Sequence, residues 1–212
     1  MELIVITLER FVKGEADVIN SLFESGLSTL HLRKPSGTEQ EIASLLDAIN
    51  ADYHCRIMLH DHFQLTEMYN LKGVHINKRN PYLPKTEVWS VSCSCHSLGE
   101  ISLTNQYDYV FLSPIFDSIS KTGYGRAFTH KQLVDMHAAG IINEKVVALG
   151  GICPETIPVA AGYGFGGVAV LGGLWGDYEK DEDKTMVIER FINLKKICDQ
   201  NGRLIIYFTP DR

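Results

Sequence analysis

Eight short apolar runs recur along the chain, each leading into a polar loop and most into a stretch with helical spacing. This alternation constrains the fold more than any other feature. The runs are LIVIT (3–7), STLHLRK (28–34), RIMLH (56–60), GVHIN (73–77), VWSVSCS (88–94), YDYVFLS (107–113), VVALGG (146–151) and GVAVLGG (167–173). Strands separated by helices pair in parallel, and their crossovers are right-handed. Eight such units close on themselves and leave no exposed sheet edge. The expected fold class is therefore α/β, a single (β/α)8 TIM barrel, with a doubly wound open sheet as the alternative. The 212 residues suit one compact barrel over 1–200. The tail at 201–212 fits neither scheme.

Local signals mark the helices. Thr38 and Glu41 have capping-box spacing, and Ile42, Leu45, Leu46 and Ile49 then fall on one face. A helix is expected around Phe63 to Tyr69 and a short one around Leu98 to Asn105. Thr129 and Gln132 can cap a helix carrying Leu133, Val134 and Met136. Pro154 suits the first turn of the helix after the seventh run. Val187, Ile188, Phe191, Leu194 and Ile197 define the buried face of a last helix from about Asp183 to Gln200. KRNPYLPK (78–85), with two prolines, reads as a loop.

Composition excludes several classes of partner. Net charge is −6 and there is no basic tract, which argues against nucleic acid or an anionic membrane surface. No apolar run approaches the ~20 residues of a membrane span. The N-terminus reads as a first strand and not as a signal peptide. Five cysteines without framework spacing suit a reducing compartment, so the expected location is cytoplasmic. Any anionic ligand, such as a phosphorylated small molecule, must be held by a few local donors and not by a global field. A homo-oligomer is compatible with the sequence.

In such a barrel the chemistry sits at the C-terminal ends of the strands. Those ends carry Arg33 and Lys34, then His60, Asp61 and His62, then Asn77 to Asn80, then Ser94 and His96. The sixth run passes into DYVFLSPIFDSISKTGYG (108–125), where Ser118, Ser120 and Lys121 could clamp an anion. Gly150 with Gly151 and Gly172 with Gly173 end the last two runs, where barrels often hold phosphate on backbone N–H groups. Plainer readings stand beside these. Gly-Gly pairs also make ordinary turns. His60-Asp61-His62 could serve a transition metal but lacks a further ligand in sequence. Cys93-x-Cys95-His96 has no second ligand pair, and its two cysteines share one strand face, as core thiols would.

Taken together, HLRKP (31–35), IMLHDH (57–62), GVHINKRN (73–80), SCHS (94–97), DYVFLSPIFDSISK (108–121), VALGGI (147–152) and GVAVLGG (167–173) resemble the thiamine phosphate synthase superfamily, which includes the thiazole tautomerase (TenI) subfamily. The resemblance implies a (β/α)8 barrel that joins an aminopyrimidine diphosphate to a thiazole phosphate, with Mg²⁺, and releases diphosphate. It implies that Arg33 holds the diphosphate, that Asp61 binds Mg²⁺, and that Ser94 lies near the pyrimidine and diphosphate. Ser118, Ser120 and Lys121 would contact the phosphates, and Gly151, Gly172 and Gly173 would cradle the thiazole phosphate. Four positions depart from the synthase pattern. His31 stands for a glutamine, Pro35 for a lysine (with Lys34 adjacent), His60 for an asparagine, and Asn80 for the second metal-binding aspartate. His31 and Asn80 resemble the tautomerase branch, an isomerase, but that branch's catalytic histidine falls on Pro114. The expected catalytic set is Arg33, Lys121, Ser94, His31 and His96, with Asp61 and Asn80 as metal positions and His60 and Gly150 beside the phosphates. The synthase reading leads; an isomerase or a non-catalytic phosphate-binding barrel are the alternatives.

Overall fold

The computed structural model describes residues 1–101, 106–117 and 125–207. Its strands close into a parallel barrel in the order β1 to β8. In chain order the elements are β1 (Glu2–Ile6), α1 (Glu15–Glu24), β2 (Thr29–Leu32), α2 (Glu39–Ala48), β3 (Ile57–Leu59), β4 (Gly73–Ile76), β5 (Ser90–Cys95), α3 (Leu98–Ile101), β6 (Tyr109–Leu112), α4 (His130–Ala138), β7 (Val146–Leu149), α5 (Ile157–Gly162), β8 (Gly167–Val170), α6 (Gly172–Trp175), α7 (Tyr178–Asp181) and α8 (Lys184–Tyr207). The expected barrel is thus the observed one. Ile6, the last residue of β1, is in register with His31, which pairs with Met58, which pairs with Gly73 at the very start of β4. Such stagger is what tilted strands need in order to close.

The period of two along each strand divides the core into two regions. Leu3, Val5, Leu30, Leu32, Ile57, Leu59, Val74, Val110, Leu112, Val168 and Val170 point outward, onto Val18, Ile19, Leu22, Ile42, Leu46, Leu133, Phe191 and Leu194 of the helices. Each such burial stabilises by about 1.5–3 kcal/mol. Ile4, Ile6, Phe111, Val147 and Ala169 form a separate cluster inside the barrel. They come from β1, β6, β7 and β8. The inward positions of β2, β4 and β5 are instead polar: Thr29, His31, His75 and Ser92 are all fully buried, with Met58 of β3 among them. The barrel is therefore dry and apolar on one side and hydrogen-bonded on the other.

Both expected capping boxes are present. Thr38 accepts from Glu41 N–H and Thr129 from Gln132 N–H, with the return bond in each case. Three expectations are corrected. The helix around 63–69 is a 3-10 turn, Phe63–Glu67. Pro154 lies in a turn before α5, whose first turn holds Pro158 instead. Thr156 accounts for the delay: its hydroxyl accepts from Cys153 N–H and donates to Gly151 O at 3.0 Å, tying the chain into a turn first. The last helix does not stop at Gln200 but continues to Tyr207. Among the described residues, no helix is long and apolar enough to cross a membrane.

Candidate active site

The floor of the site is a histidine cluster inside the barrel. His31 Nδ1 lies 2.8 Å from His60 Nε2, and His31 Nε2 lies 2.7 Å from the Tyr109 hydroxyl. His75 places Nδ1 and Nε2 each 2.8 Å from a serine hydroxyl, Ser92 and Ser94. The His60 and His75 rings stack at 4.2 Å. Burial is the main cause that drives all three imidazoles toward the neutral form, His75 down to about 3. Arg33 and Arg79 add to this by pushing down His60 and His75. Burial also raises the Tyr109 phenol. The nitrogens of His31, His60 and His75 come within 4.8 Å of one another. A transition metal would need them unoccupied, but His31 and His60 bond each other directly and the serines hold His75.

The rim above this floor carries two arginines, each paired with a carboxylate. Arg33, a quarter exposed, pairs with Glu9 at 2.9 Å. Its backbone is pinned by Thr7, whose hydroxyl accepts from Arg33 N–H at 2.9 Å. At the ends of β3 and β4, Asp61 is nearly buried and meets Arg79: Nε and Nη2 both donate to Oδ1 at 3.1 Å, and Nη2 also reaches Oδ2 at 3.2 Å. Asn80 Nδ2 donates to Asp61 Oδ1 at 3.0 Å and to His60 O at 2.9 Å. A tight turn holds this group, with Asn77 and Asn80 exchanging backbone hydrogen bonds and Asn77 Oδ1 accepting from Arg79 N–H.

The ends of β6, β7 and β8 come together. A Cβ on Gly150 would sit 2.9 Å from Pro114 Cβ, and one on Gly151 would sit 2.3 Å from Asp117 O. Both glycines have positive φ, 99° and 64°. A Cβ on Gly173 would lie 2.4 Å from Ile152 O. Glycine is thus required at these ends by backbone packing, independently of any ligand. Gly172 and Gly173 open α6, which Trp175 anchors to β1 by donating Nε1–H to Ile6 O at 2.8 Å.

The expected site residues divide among several settings. Arg33, His60, Asp61, Asn80 and Ser94 surround one mouth. His96 is exposed beside it, with Nδ1 3.1 Å from Ser113 O. His31 does not reach the mouth; it is fully buried beneath His60, so its expected contact with substrate is replaced by a hydrogen bond to another imidazole. Lys34 also turns away. It is fully buried, bonds both Glu15 oxygens at 2.6 and 2.7 Å, and bonds the Leu8 and Arg10 carbonyls. Burial raises the Glu15 carboxyl, and the Lys34 ammonium offsets part of that shift. His62 is directed outward, with Nε2 2.8 Å from Gly37 O, so it shares no ligand position with His60. Cys93 and Cys95 face the helices as buried free thiols. Ser118, Ser120 and Lys121 lie outside the described residues. The sequence reading passed over His75, Tyr109 and Arg79. Strand alternation could have found the first two, because His75 shares the inward face with Asn77, and Tyr109 shares it with Phe111 and Ser113.

Magnesium, the cofactor the resemblance implies, fits these residues poorly. It needs free, hard oxygen ligands. Both Asp61 oxygens are already held by a guanidinium. The Asn80 amide cannot simply be flipped to offer its carbonyl, because its NH₂ lies between two acceptors, Asp61 Oδ1 and His60 O.

Comparison with known proteins agrees with the fold and the motifs. The thiamine phosphate pyrophosphorylase from Bacteroides thetaiotaomicron superimposes with a TM-score of 0.84 at 43% identity, over 94% of this chain and 98% of that one. The Pyrococcus furiosus thiamine phosphate pyrophosphorylase shares the fold, with a TM-score of 0.72 at 20% identity, over 94% of this chain and 96% of that one. The thiamine-phosphate synthase of Salmonella paratyphi A is 26% identical over 175 residues, which is 77% of this chain and 82% of that one. The family described as thiamine monophosphate synthase matches residues 3–174. With that match running from β1 into α6, the chain belongs to the thiamine monophosphate synthase family.

Proposed function

We propose that the chain is a transferase that joins an aminopyrimidine diphosphate to a thiazole phosphate and releases diphosphate. The observation that carries this reading is the meeting of the β6, β7 and β8 ends opposite a rim bearing Arg33. The segment with Ser118, Ser120 and Lys121 starts directly after Asp117, which packs on Gly151. The family resemblance assigns the phosphates to these two hydroxyls and this ammonium. Backbone N–H groups around Gly150, Gly151, Gly172 and Gly173 would hold the second phosphate.

The chemistry asks for little else. The bond between the pyrimidine methylene and the diphosphate oxygen breaks, and its electron pair leaves with the diphosphate. The thiazole nitrogen then attacks the methylene carbon, so no protein nucleophile is needed. Cationic groups aimed at the departing oxygens lower the barrier because that is where charge grows. Arg33 and Lys121 take this role. Ser94, fixed by His75, offers a hydroxyl beside the pyrimidine. The uncharged floor of His60 and His75 suits a neutral heteroaromatic ring. Asp61 and Asn80 present an ion pair and an amide donor where Mg²⁺ would require free oxygens.

A second reading, an isomerase acting on a thiazole phosphate, is favoured by Asn80. It ranks behind because Pro114 occupies the position of that branch's histidine. The test is direct: incubate purified protein with both substrates and follow thiamine phosphate, with Lys121→Ala as control. Product at least tenfold above the control is expected. No product above the control would remove the transferase reading, and turnover of the thiazole phosphate alone would favour the isomerase.

A further inference from the structure

We propose that Arg79 is a built-in cation of this site. Its guanidinium, positioned by Asp61, binds the anionic group of the ligand, so anion capture at this mouth does not depend on a divalent metal. This extends the transferase reading and rests on the same mouth, but it concerns a residue that reading leaves unused.

Four observations support the proposal. First, Arg79 is oriented and not merely nearby. Asp61 engages Nε and Nη2, and the Asn77–Asn80 turn fixes the backbone behind it. Second, the pairing leaves an edge available. Among the described residues Nη1 has no partner, and the side chain keeps 40% exposure while Asp61 keeps 9%. A guanidinium has five N–H donors, so one carboxylate cannot use them all. A planar fork held from behind is suited to bidentate recognition of phosphate oxygens.

Third, the group occupies the place where Asp61 and Asn80 would otherwise share a metal. Those two side chains are in contact at 3.0 Å, yet through an amide N–H and not through two carboxylates. An aspartate at 80 beside Asp61 would bring two negative charges together and call for a divalent cation. The neutral Asn80 with the monovalent Arg79 satisfies Asp61 without one. Fourth, Arg79 is tied to this floor by contact: the Asp61 it grips accepts from Asn80, which also donates to the carbonyl of His60. An anion above that floor would meet the open edge of the guanidinium.

The test uses binding, so its result does not depend on turnover. Inorganic pyrophosphate is titrated into the full chain by calorimetry, once in EDTA and once with excess Mg²⁺. Wild type is expected to bind in EDTA, with less than about threefold change on adding Mg²⁺. Arg79→Ala should weaken binding in EDTA by about 10-fold or more, the usual worth of a hydrogen bond to a charged group. Arg79→Lys should recover only part, since it restores charge without the fork. The double variant Arg79→Ala/Asn80→Asp should bind Mn²⁺, read by its paramagnetic resonance signal, where wild type does not. Each variant's thermal unfolding is recorded to establish that it is folded. Pyrophosphate binding that requires Mg²⁺ in wild type, or that is the same in folded Arg79→Ala, would overturn the proposal. Wild type binding Mn²⁺ as tightly as the double variant would do so too. A silent two-substrate assay with intact metal-free pyrophosphate binding would count against the transferase alone.

Discussion

His31 and His60 meet nitrogen to nitrogen at 2.8 Å inside the barrel, and among the described residues no carboxylate is bonded to either ring. Only one proton can lie between them. Either direction of the bond fixes the far side: if His31 donates to His60, it must accept from Tyr109, and the reverse also holds. The contact excludes protonation of both rings at once, and burial holds each of them toward the neutral form.

The first prediction concerns pH. Folding lowers the proton affinity of His31, His60 and His75, the last to about 3 from an ordinary 6.5. As pH falls below 6.5 the unfolded chain takes up protons before the folded one does. Stability is thus full above about 6.5 and declines as pH drops toward 3. For His75 the slope approaches ~1.4 kcal/mol per unit across that window, and His31 and His60 act in the same direction. Urea unfolding at pH 7, 6 and 5 should show a falling midpoint. His75→Gln should flatten the fall, and a wild-type midpoint unchanged from 7 to 5 would contradict the assignment.

Lys34 gives a second test. Its ammonium is sealed against Glu15 and two carbonyls, far from any substrate role. Lys34→Met strands a buried carboxylate and should cost about 3–5 kcal/mol. Lys34→Met with Glu15→Leu should recover much of the loss. Chemical denaturation reads both. A single variant with lowered turnover but unchanged stability would show that Lys34 serves the reaction after all.

Gly151 and Gly140 form an informative pair. Both have positive φ, but a Cβ on Gly151 strikes Asp117 O at 2.3 Å, whereas one on Gly140 meets nothing within 4 Å. Gly140→Ala should cost about 1 kcal/mol, the price of left-handed backbone alone. Gly151→Ala should cost at least ~1 kcal/mol more and weaken phosphate binding, because the loop after β6 must move. Equal losses for the two would mean the β6–β7 contact is unimportant.

Ser94 separates structure from catalysis. Removing its hydroxyl leaves a buried His75 nitrogen unsatisfied, which should destabilise the fold by about 1–3 kcal/mol. Ser94→Thr should keep that stability. If the hydroxyl also touches the pyrimidine, Ser94→Ala should raise KM in the same preparation. A stability loss with unchanged kinetics would confine Ser94 to holding His75.

Much of the barrel was legible because its signals are local. Eight apolar runs, two capping boxes and the glycine pairs each follow from neighbouring residues. Elements failed where a side chain redirected the backbone, as Thr156 does in delaying α5. The site was legible as a ring of strand ends but not as a set of partners. Arg33 and Lys34 are adjacent in sequence, yet one faces the mouth and the other a buried carboxylate. His31 read as a substrate residue because its position in a motif shows nothing of depth. Arg79 was passed over because its significance depends on Asp61, eighteen positions away, across the end of β3.

The division of the interior into an uncharged half and an oily half has a consequence for how any guest must lie. Among the described residues the guanidinium groups of Arg33 and Arg79 stand at the circumference, while the axis offers imidazole faces and the Ile4, Ile6 and Phe111 side chains. An elongated molecule with one anionic end is thus drawn off-centre by that end, and its flat neutral portion is left to settle over the axis. Orientation is selected before any bond is made or broken.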